Sequence, residues 1–354
     1  MPLSKERWQR LMDLFETALE MPSEQRQAFL DAAAGGDAEL RGQVEGMLAQ
    51  EPLAGSRLSE VIGGVADTAA LGNPWLERRF GPYRIVREIG RGGMGIVFEA
   101  VRDDNEYRKR VALKIAPGWH DPERVAERFR RERQILAELE HPNIARFLDG
   151  GAERGLPYFA MELVEGIPIT EHCRSLGLSS RQRVDLFLQV CAAVHYAHQV
   201  LVIHRDIKPS NILVTPGGVP KLLDFGVAKI LQDPSGDSGA TTGRMMWTPD
   251  YASPEQVRGG SVTTRTDVYA LGLLLFEMLT GQRGQVADSS SPLAFDRSIC
   301  ETELPPASRT AAQSGDPETA RLLAGDLDTI LAKATRKEPG QRYESVATSR
   351  RKNA

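Results

Sequence analysis

Asp206, Lys208 and Asn211 fall within one eight-residue stretch, "HRDIKPSN", flanked by the apolar runs 200–203 and 212–214. These runs read as two strands with a polar loop between them, a place where a rigid scaffold can present reactive groups. A carboxylate at Asp206 can accept a hydroxyl proton. Lys208, two residues on, can neutralise charge on a group in transfer. Asn211 and, 13 positions later, Asp224 of "DFG" offer hard oxygen donors. Such donors suit Mg²⁺ held jointly with nucleotide phosphates.

A second cluster lies upstream. Gly90, Gly92, Gly93 and Gly95 in "IGRGGMGIV" form a G-x-G-x-x-G array. Glycine lets the backbone approach phosphate oxygens and turn N–H groups toward them. A dinucleotide site needs that array between a strand and a helix. Here a second strand, "GIVFEAV", follows, so that reading falls away. Lys114 in "VALKI" sits on an apolar strand, where a charge is costly unless paired. Glu132, in the helical run 122–139 beside Phe129 and Ile135, is its natural partner. A snorkelling lysine and a loop of solvated charges would account for each residue singly, but not for this order along the chain.

The elements that must position these groups follow from periodicity. Residues 83–89, 95–101, 110–116, 144–151 and 156–164 read as five strands, with the helix 122–139 among them. Helices then dominate, at 181–199, 265–280 and 317–336. The class is α+β, with two unequal lobes. Residues 282–316 are polar and read as an exposed insertion. Ahead of all this, residues 4–50 read as helical: Trp8, Leu11, Met12, Phe15 and Leu19 share one face, and Ser23 and Asp37 are N-caps. A small bundle and helices docked on the main domain both remain open. Residues 51–80 read as a linker.

Composition narrows the class. The 354 residues suffice for about two domains. A hydrophobic share of 41%, a charged share of 26% and a net charge of −4 fit a soluble globular protein, with no field inviting nucleic acid or an anionic membrane. Cys173, Cys191 and Cys300 are an odd, scattered set. They argue against a disulfide framework and fit a reducing cytoplasm. The amino terminus lacks a secretory apolar region. The most apolar run, 268–281, is short of the ~18 residues a span needs and contains Glu277; it reads as a core helix.

The ordered set Gly90 to Val97, "VALK", "HRDIKPSN", "DFG" and Ser253-Pro254-Glu255 resembles the eukaryotic-type protein kinase family from about Tyr83 to Tyr343. The wording is similar to that of bacterial serine/threonine (Hanks-type) members. The resemblance implies a bilobal fold with an N-lobe at 81–160, a hinge at 161–167 and a C-lobe at 168–354, preceded by the helical segment 1–50 and the linker 51–80. It implies ATP in the cleft with Mg²⁺. Met161 becomes the gatekeeper, and Glu162-Leu163-Val164 the adenine-binding hinge. Val97, Ala112 and Leu213 sandwich the ring, and Ile89 joins the nucleotide set. The glycine loop covers the β,γ-phosphates, and Lys114, oriented by Glu132, contacts the α,β-phosphates. Asn211 and Asp224 hold the metal, Asp206 is the base and Lys208 steadies the γ-phosphate.

Further roles come from the same resemblance. Asp267 anchors the catalytic loop through backbone N–H groups, and Glu255 pairs with Arg342. Thr248 contacts Asp206 and Lys208, a feature of serine/threonine members, as is lysine at position 208. Trp247 stands where glycine is commonest; its indole either reshapes acceptor docking or is tolerated at the surface. Arg205 implies activation by phosphorylation, with Thr241 or Thr242 as autophosphorylation sites and self-association as a route to trans-phosphorylation. Protein substrates with Ser/Thr acceptors and a cytoplasmic location are expected. The competing classes are an ATP-binding pseudokinase scaffold and a small-molecule phosphotransferase. The terminal "TSRRKNA" lacks apolar periodicity, so the final helix is expected to be short or missing, with a core face uncovered.

Overall fold

The computed structural model describes residues 29–30, 37, 41, 75–92, 95–104, 107–115, 138–153, 156–225, 248–288 and 290–346. Glu132, Gly93, Thr241, Thr242, Trp247 and the terminal residues 347–354 lie outside them. The chain divides into two units, Met1–Leu76 with Ser235–Arg244, and Glu77–Pro234 with Met245–Ala354. In the first unit Phe29, Leu30 and Arg41 are helical, and the Asp37 carbonyl accepts the Arg41 N–H at 3.0 Å.

The second unit is α+β. Its amino-terminal part is a sheet of six strands: β1 (Arg79–Phe80), β2 (Tyr83–Gly92), β3 (Gly95–Arg102), β4 (Lys109–Ile115), β5 (Phe147–Glu153) and β6 (Leu156–Glu162). Their order is β1-β2-β3-β4-β6-β5, with every pairing antiparallel. Period-two alternation explains the burial. Ile96, Phe98 and Ala100 of β3 and Val111, Leu113 and Ile115 of β4 are buried, while Val97 and Lys114 point to the other face. The sixth strand, β1, is an addition to the five expected. Two residues give no periodicity, and only its pairing with Arg84 and Tyr83 reveals it.

A small sheet follows, β7 (Ile167–Pro168), β8 (Ile212–Val214) and β9 (Pro220–Leu222), in that order. The run 200–203 does not form the expected strand. It is a turn after a helix, with Leu201 at φ 61° and 91% exposed, while Val202 is buried. Its apolarity comes from one inward residue, not from strand alternation.

The helical body holds α1 (Ile169–Ser175), α2 (Ser180–Gln199), α3 (Pro254–Val257), α4 (Thr264–Thr280), α5 (Pro292–Cys300), α6 (Ala307–Gln313), α7 (Pro317–Leu323) and α8 (Asp326–Ala334). Ser179 and Gln182 form a reciprocal capping box that starts α2. Helix α4 is apolar nearly all round and lies in the core, as an unbroken run such as "VYALGLLLFEML" requires. Two expectations are corrected here. Residues 282–316 are no exposed insertion: Phe295, Ile299 and Cys300 of α5 and Ala307 and Ala311 of α6 are buried. The helix expected over 317–336 is two, broken at Ala324-Gly325, where Gly325 takes φ 106°. All three cysteines are buried free thiols. No helix among the described residues is long and apolar enough to cross a membrane.

Candidate active site

The sheet places one group of expected residues by register. Gly90 lies opposite Val97, Val97 opposite Lys114, Lys114 opposite Phe159, and Ala112 opposite Met161. Direct antiparallel partners share a face, so Gly90, Val97, Lys114, Ala112 and Met161 form one surface. Ile89 is exposed beside it. The turn between β2 and β3 closes at Gly95, whose φ of 126° is denied to residues with a side chain. After β6 the chain runs through Leu163, Val164 and Glu165 to Gly166. A Cβ at Gly166 would sit 2.5 Å from the Val214 carbonyl oxygen, so glycine alone lets this segment pass β8, which carries Leu213.

The loop carrying Asp206 has no sheet ladder to hold it. Asp267, buried in the first turn of α4, does so instead. Its Oδ2 accepts the His204 N–H at 2.8 Å and its Oδ1 the Arg205 N–H at 2.9 Å, while His198 Nε2 meets Oδ2 at 2.7 Å. The His204 ring is fully buried. Its Nε2 donates to the Leu223 carbonyl at 2.8 Å and its Nδ1 accepts the Asp206 N–H at 3.3 Å. That pair of bonds requires the neutral ring, and burial pushes the imidazole pKa down. Arg205 and Asp224, at each end of this arrangement, both take positive φ, 68° and 53°. Such backbone persists only where its surroundings over-determine it.

At the centre, the Asp206 carboxylate is buried. Its Oδ2 lies 2.9 Å from Lys208 Nζ and accepts from Asn211 Nδ2 at 3.0 Å. Asn211 Nδ2 also donates to the Asp206 carbonyl at 2.8 Å, leaving Oδ1 as the amide's acceptor. Lys208 Nζ donates to the Thr248 hydroxyl at 2.6 Å. Lys114 Nζ lies 2.9 Å from Asp224 Oδ2, which joins the sheet surface to the loop. Both side chains are mostly buried, so their charges compensate one another. The amide oxygen of Asn211 and the carboxylate of Asp224 are hard donors and fit a divalent cation.

Farther back, Glu255 and Arg342 form a buried bidentate pair at 2.7 and 2.8 Å. Burial alone would raise the Glu255 carboxyl; the hydrogen bonds and charge of Arg342 outweigh it and hold the group below the usual range. Thr266 adds a hydrogen bond at 2.8 Å. Two positions that sequence reasoning passed over also bear on the site. His198 supports Asp267, and its place in the helical run gives no hint of that. Lys221 of β9 reaches Glu162 at 2.9 Å, tying the end of β6 to the small sheet. The alternation of charged and apolar residues in "VPKLLDFG" was the available signal.

The description Protein kinase domain matches residues 83–347. A serine/threonine-protein kinase, PrkC of Bacillus subtilis (strain 168), is 37% identical over 272 residues, 76% of this chain and 40% of its own length. PknB of Mycobacterium tuberculosis (strain CDC 1551 / Oshkosh), also a serine/threonine-protein kinase, is 36% identical over 275 residues, 76% of this chain and 42% of its own. The chain thus spans about two fifths of the length of these relatives. Among solved structures, the M. tuberculosis PknI kinase domain aligns with a TM-score of 0.56 at 27% identity, covering 79% of this chain and 96% of that one.

Proposed function

The chain belongs to the protein kinase family, and from that premise we propose that it transfers the γ-phosphate of ATP to serine or threonine hydroxyls of proteins. The observation that carries this reading is the Asp206–Lys208–Thr248 cluster. A buried carboxylate, a lysine 2.9 Å from it and a threonine hydroxyl 2.6 Å from that lysine are held together around one point. Phosphoryl transfer asks a protein mainly for positioning and charge neutralisation. Asp206 accepts the acceptor's proton. Asn211 Nδ2 and Lys208 fix its carboxylate, so that it faces the hydroxyl without reorganising. Lys208 carries the positive charge that the transferred group needs.

On the sheet side, Lys114 contacts the nucleotide phosphates and leaves Asp224 as it does so. Glu132 orients Lys114. Ile89, Val97, Ala112, Met161, Val164 and Leu213 surround the adenine, with the Glu162 backbone at the hinge. Asn211 and Asp224 hold Mg²⁺, which when bound offsets phosphate charge. Gly90, Gly92, Gly93 and Gly95 leave room for the backbone to close on the phosphates. The reading extends to autophosphorylation at Thr241 or Thr242 read by Arg205, a second copy as one protein substrate, a cytoplasmic location, and a helical segment 1–50 joined by the linker 51–80 to a kinase domain from residue 81.

The test is transfer of labelled phosphate from ATP to the protein itself and to a generic basic protein, with wild type beside Asp206→Asn. The variant is expected to bind ATP yet turn over roughly 10²–10⁴-fold more slowly, the range for a positioned general base. Full transfer by Asp206→Asn would overturn the assignment.

A further inference from the structure

Gln285 is only 5% exposed and lies in the segment between α4 and α5, outside any helix or strand. Both ends of its amide are used. Oε1 accepts from the Tyr269 hydroxyl at 2.6 Å, and Nε2 donates to the Pro249 and Ala252 carbonyls at 3.1 and 3.0 Å. Those carbonyls belong to the turn that begins at Thr248, whose hydroxyl is bound by Lys208. The same segment grips the turn twice more. Ala287 N–H donates to Asp250 Oδ1 at 3.1 Å, and the Arg283 guanidinium pairs with the Asp250 carboxylate.

The support continues inward. Lys337 Nζ donates to the Tyr269 hydroxyl at 2.9 Å and to the Ile299 carbonyl at 2.8 Å. The Arg342 guanidinium lies 4.7 Å from the Tyr269 ring centre. A lysine has donors only and a tyrosine hydroxyl has one proton to give. The chain therefore has a single direction, from Lys337 to Tyr269 to Gln285 to the two carbonyls.

We propose that Gln285 is a positioning residue for the protein acceptor: it fixes the turn at 248–252, and through Thr248 and Lys208 the place where an acceptor hydroxyl meets Asp206. This rests on the kinase reading. An apolar side chain would fill the same space but take the Gln285 donor from both carbonyls, leaving Pro249 with the Ala252 N–H at 3.2 Å. A purely structural amide would alter melting temperature and leave the Michaelis constants alone. A positioning amide alters the acceptor KM and spares the ATP KM, because among the described residues the hydrogen bonds of Gln285 and Tyr269 run to the turn at 248–252 and not to Lys114 or Asp224.

The experiment uses the whole chain with Mg-ATP and myelin basic protein as acceptor, comparing wild type, Gln285→Leu, Gln285→Glu and Tyr269→Phe. Gln285→Leu is expected to raise the acceptor KM by roughly 5–30-fold, the effect on the turn of losing, of its three hydrogen bonds, the two to Pro249 and Ala252 at ordinary net strength, with the ATP KM unchanged. Gln285→Glu keeps the acceptor for Tyr269 but cannot donate to Pro249 and Ala252, and is expected to match it. It also carries the test alone if Gln285→Leu does not fold. Tyr269→Phe should give a smaller rise. An unchanged acceptor KM in Gln285→Glu, or an ATP KM rising in step, overturns the proposal while leaving the kinase reading intact. A folded wild type that transfers no phosphate removes both.

Discussion

On the sheet side, Gly90, Val97, Ala112, Lys114 and Met161 are carried by four strands whose backbones pair directly. On the loop side, Asp206, Lys208 and Thr248 sit on irregular backbone, and side chains hold it: Asp267 at His204 and Arg205, Gln256 Nε2 at the Arg205 carbonyl at 2.8 Å, and Gln285 at Pro249 and Ala252. A ladder spreads its bonds over many residues, so no one side chain is decisive. A loop held by a few buried polar side chains concentrates the same task. Removing one takes hydrogen bonds from groups that are buried or half-buried, where an unmade bond is costly.

The sharpest way to break this comparison is to cut one ion pair on each side. Arg342→Met strands the buried Glu255 carboxylate and should cost about 3–5 kcal/mol in denaturant unfolding. Arg79→Met removes the pair with Asp103 at the edge of the sheet, where the Arg79 side chain is 55% exposed, and should cost no more than about 1 kcal/mol. Equal losses would abolish the distinction. Gly166→Ala tests the segment joining the two sides. Its Cβ would collide with the Val214 carbonyl, and a loss of about 1–3 kcal/mol is expected, with a weaker ATP KM as the functional readout.

The smallest effect is one of pH. Burial lowers Lys337 from 10.5 to about 8, partly offset by Glu303. Between those values the unfolded lysine holds more proton than the folded one, so the contribution of Lys337 to stability rises with pH across that window. Cys173 and Cys300, which burial raises, oppose that contribution, because the unfolded thiols lose their protons first, and the buried tyrosines add to this as pH approaches 10. Thermal unfolding between pH 8 and 9.5 should show stability falling more steeply with pH in Lys337→Met than in wild type, the difference being the contribution of Lys337.

The same division decided what could be read from the chain. Alternation in 83–89, 95–101 and 110–116 exposes strands because each residue reports its own face. The spacing from Asp206 to Asn211 and on to Asp224 exposes the proposed chemistry because it is local. Strand β1 has too few residues for a period, and Gly325 breaks a helix through a single φ value. In 282–316 the inward residues Phe295 and Ile299 keep helical spacing, but the surrounding serines and prolines mask it. Gln285 was not legible at all. Its partners lie 16, 33 and 36 residues away, and nothing in a glutamine's neighbours announces that both ends of its amide are in use.

Asp267 has one more consequence. The amide protons of His204 and Arg205 end on its carboxylate, which is rooted in the core helix α4. They can meet solvent only when that helix lets go. In deuterated buffer these two amides should therefore exchange on the timescale of α4 opening, slower than their loop position suggests. The loop that carries Asp206 would then keep its shape for as long as the core does.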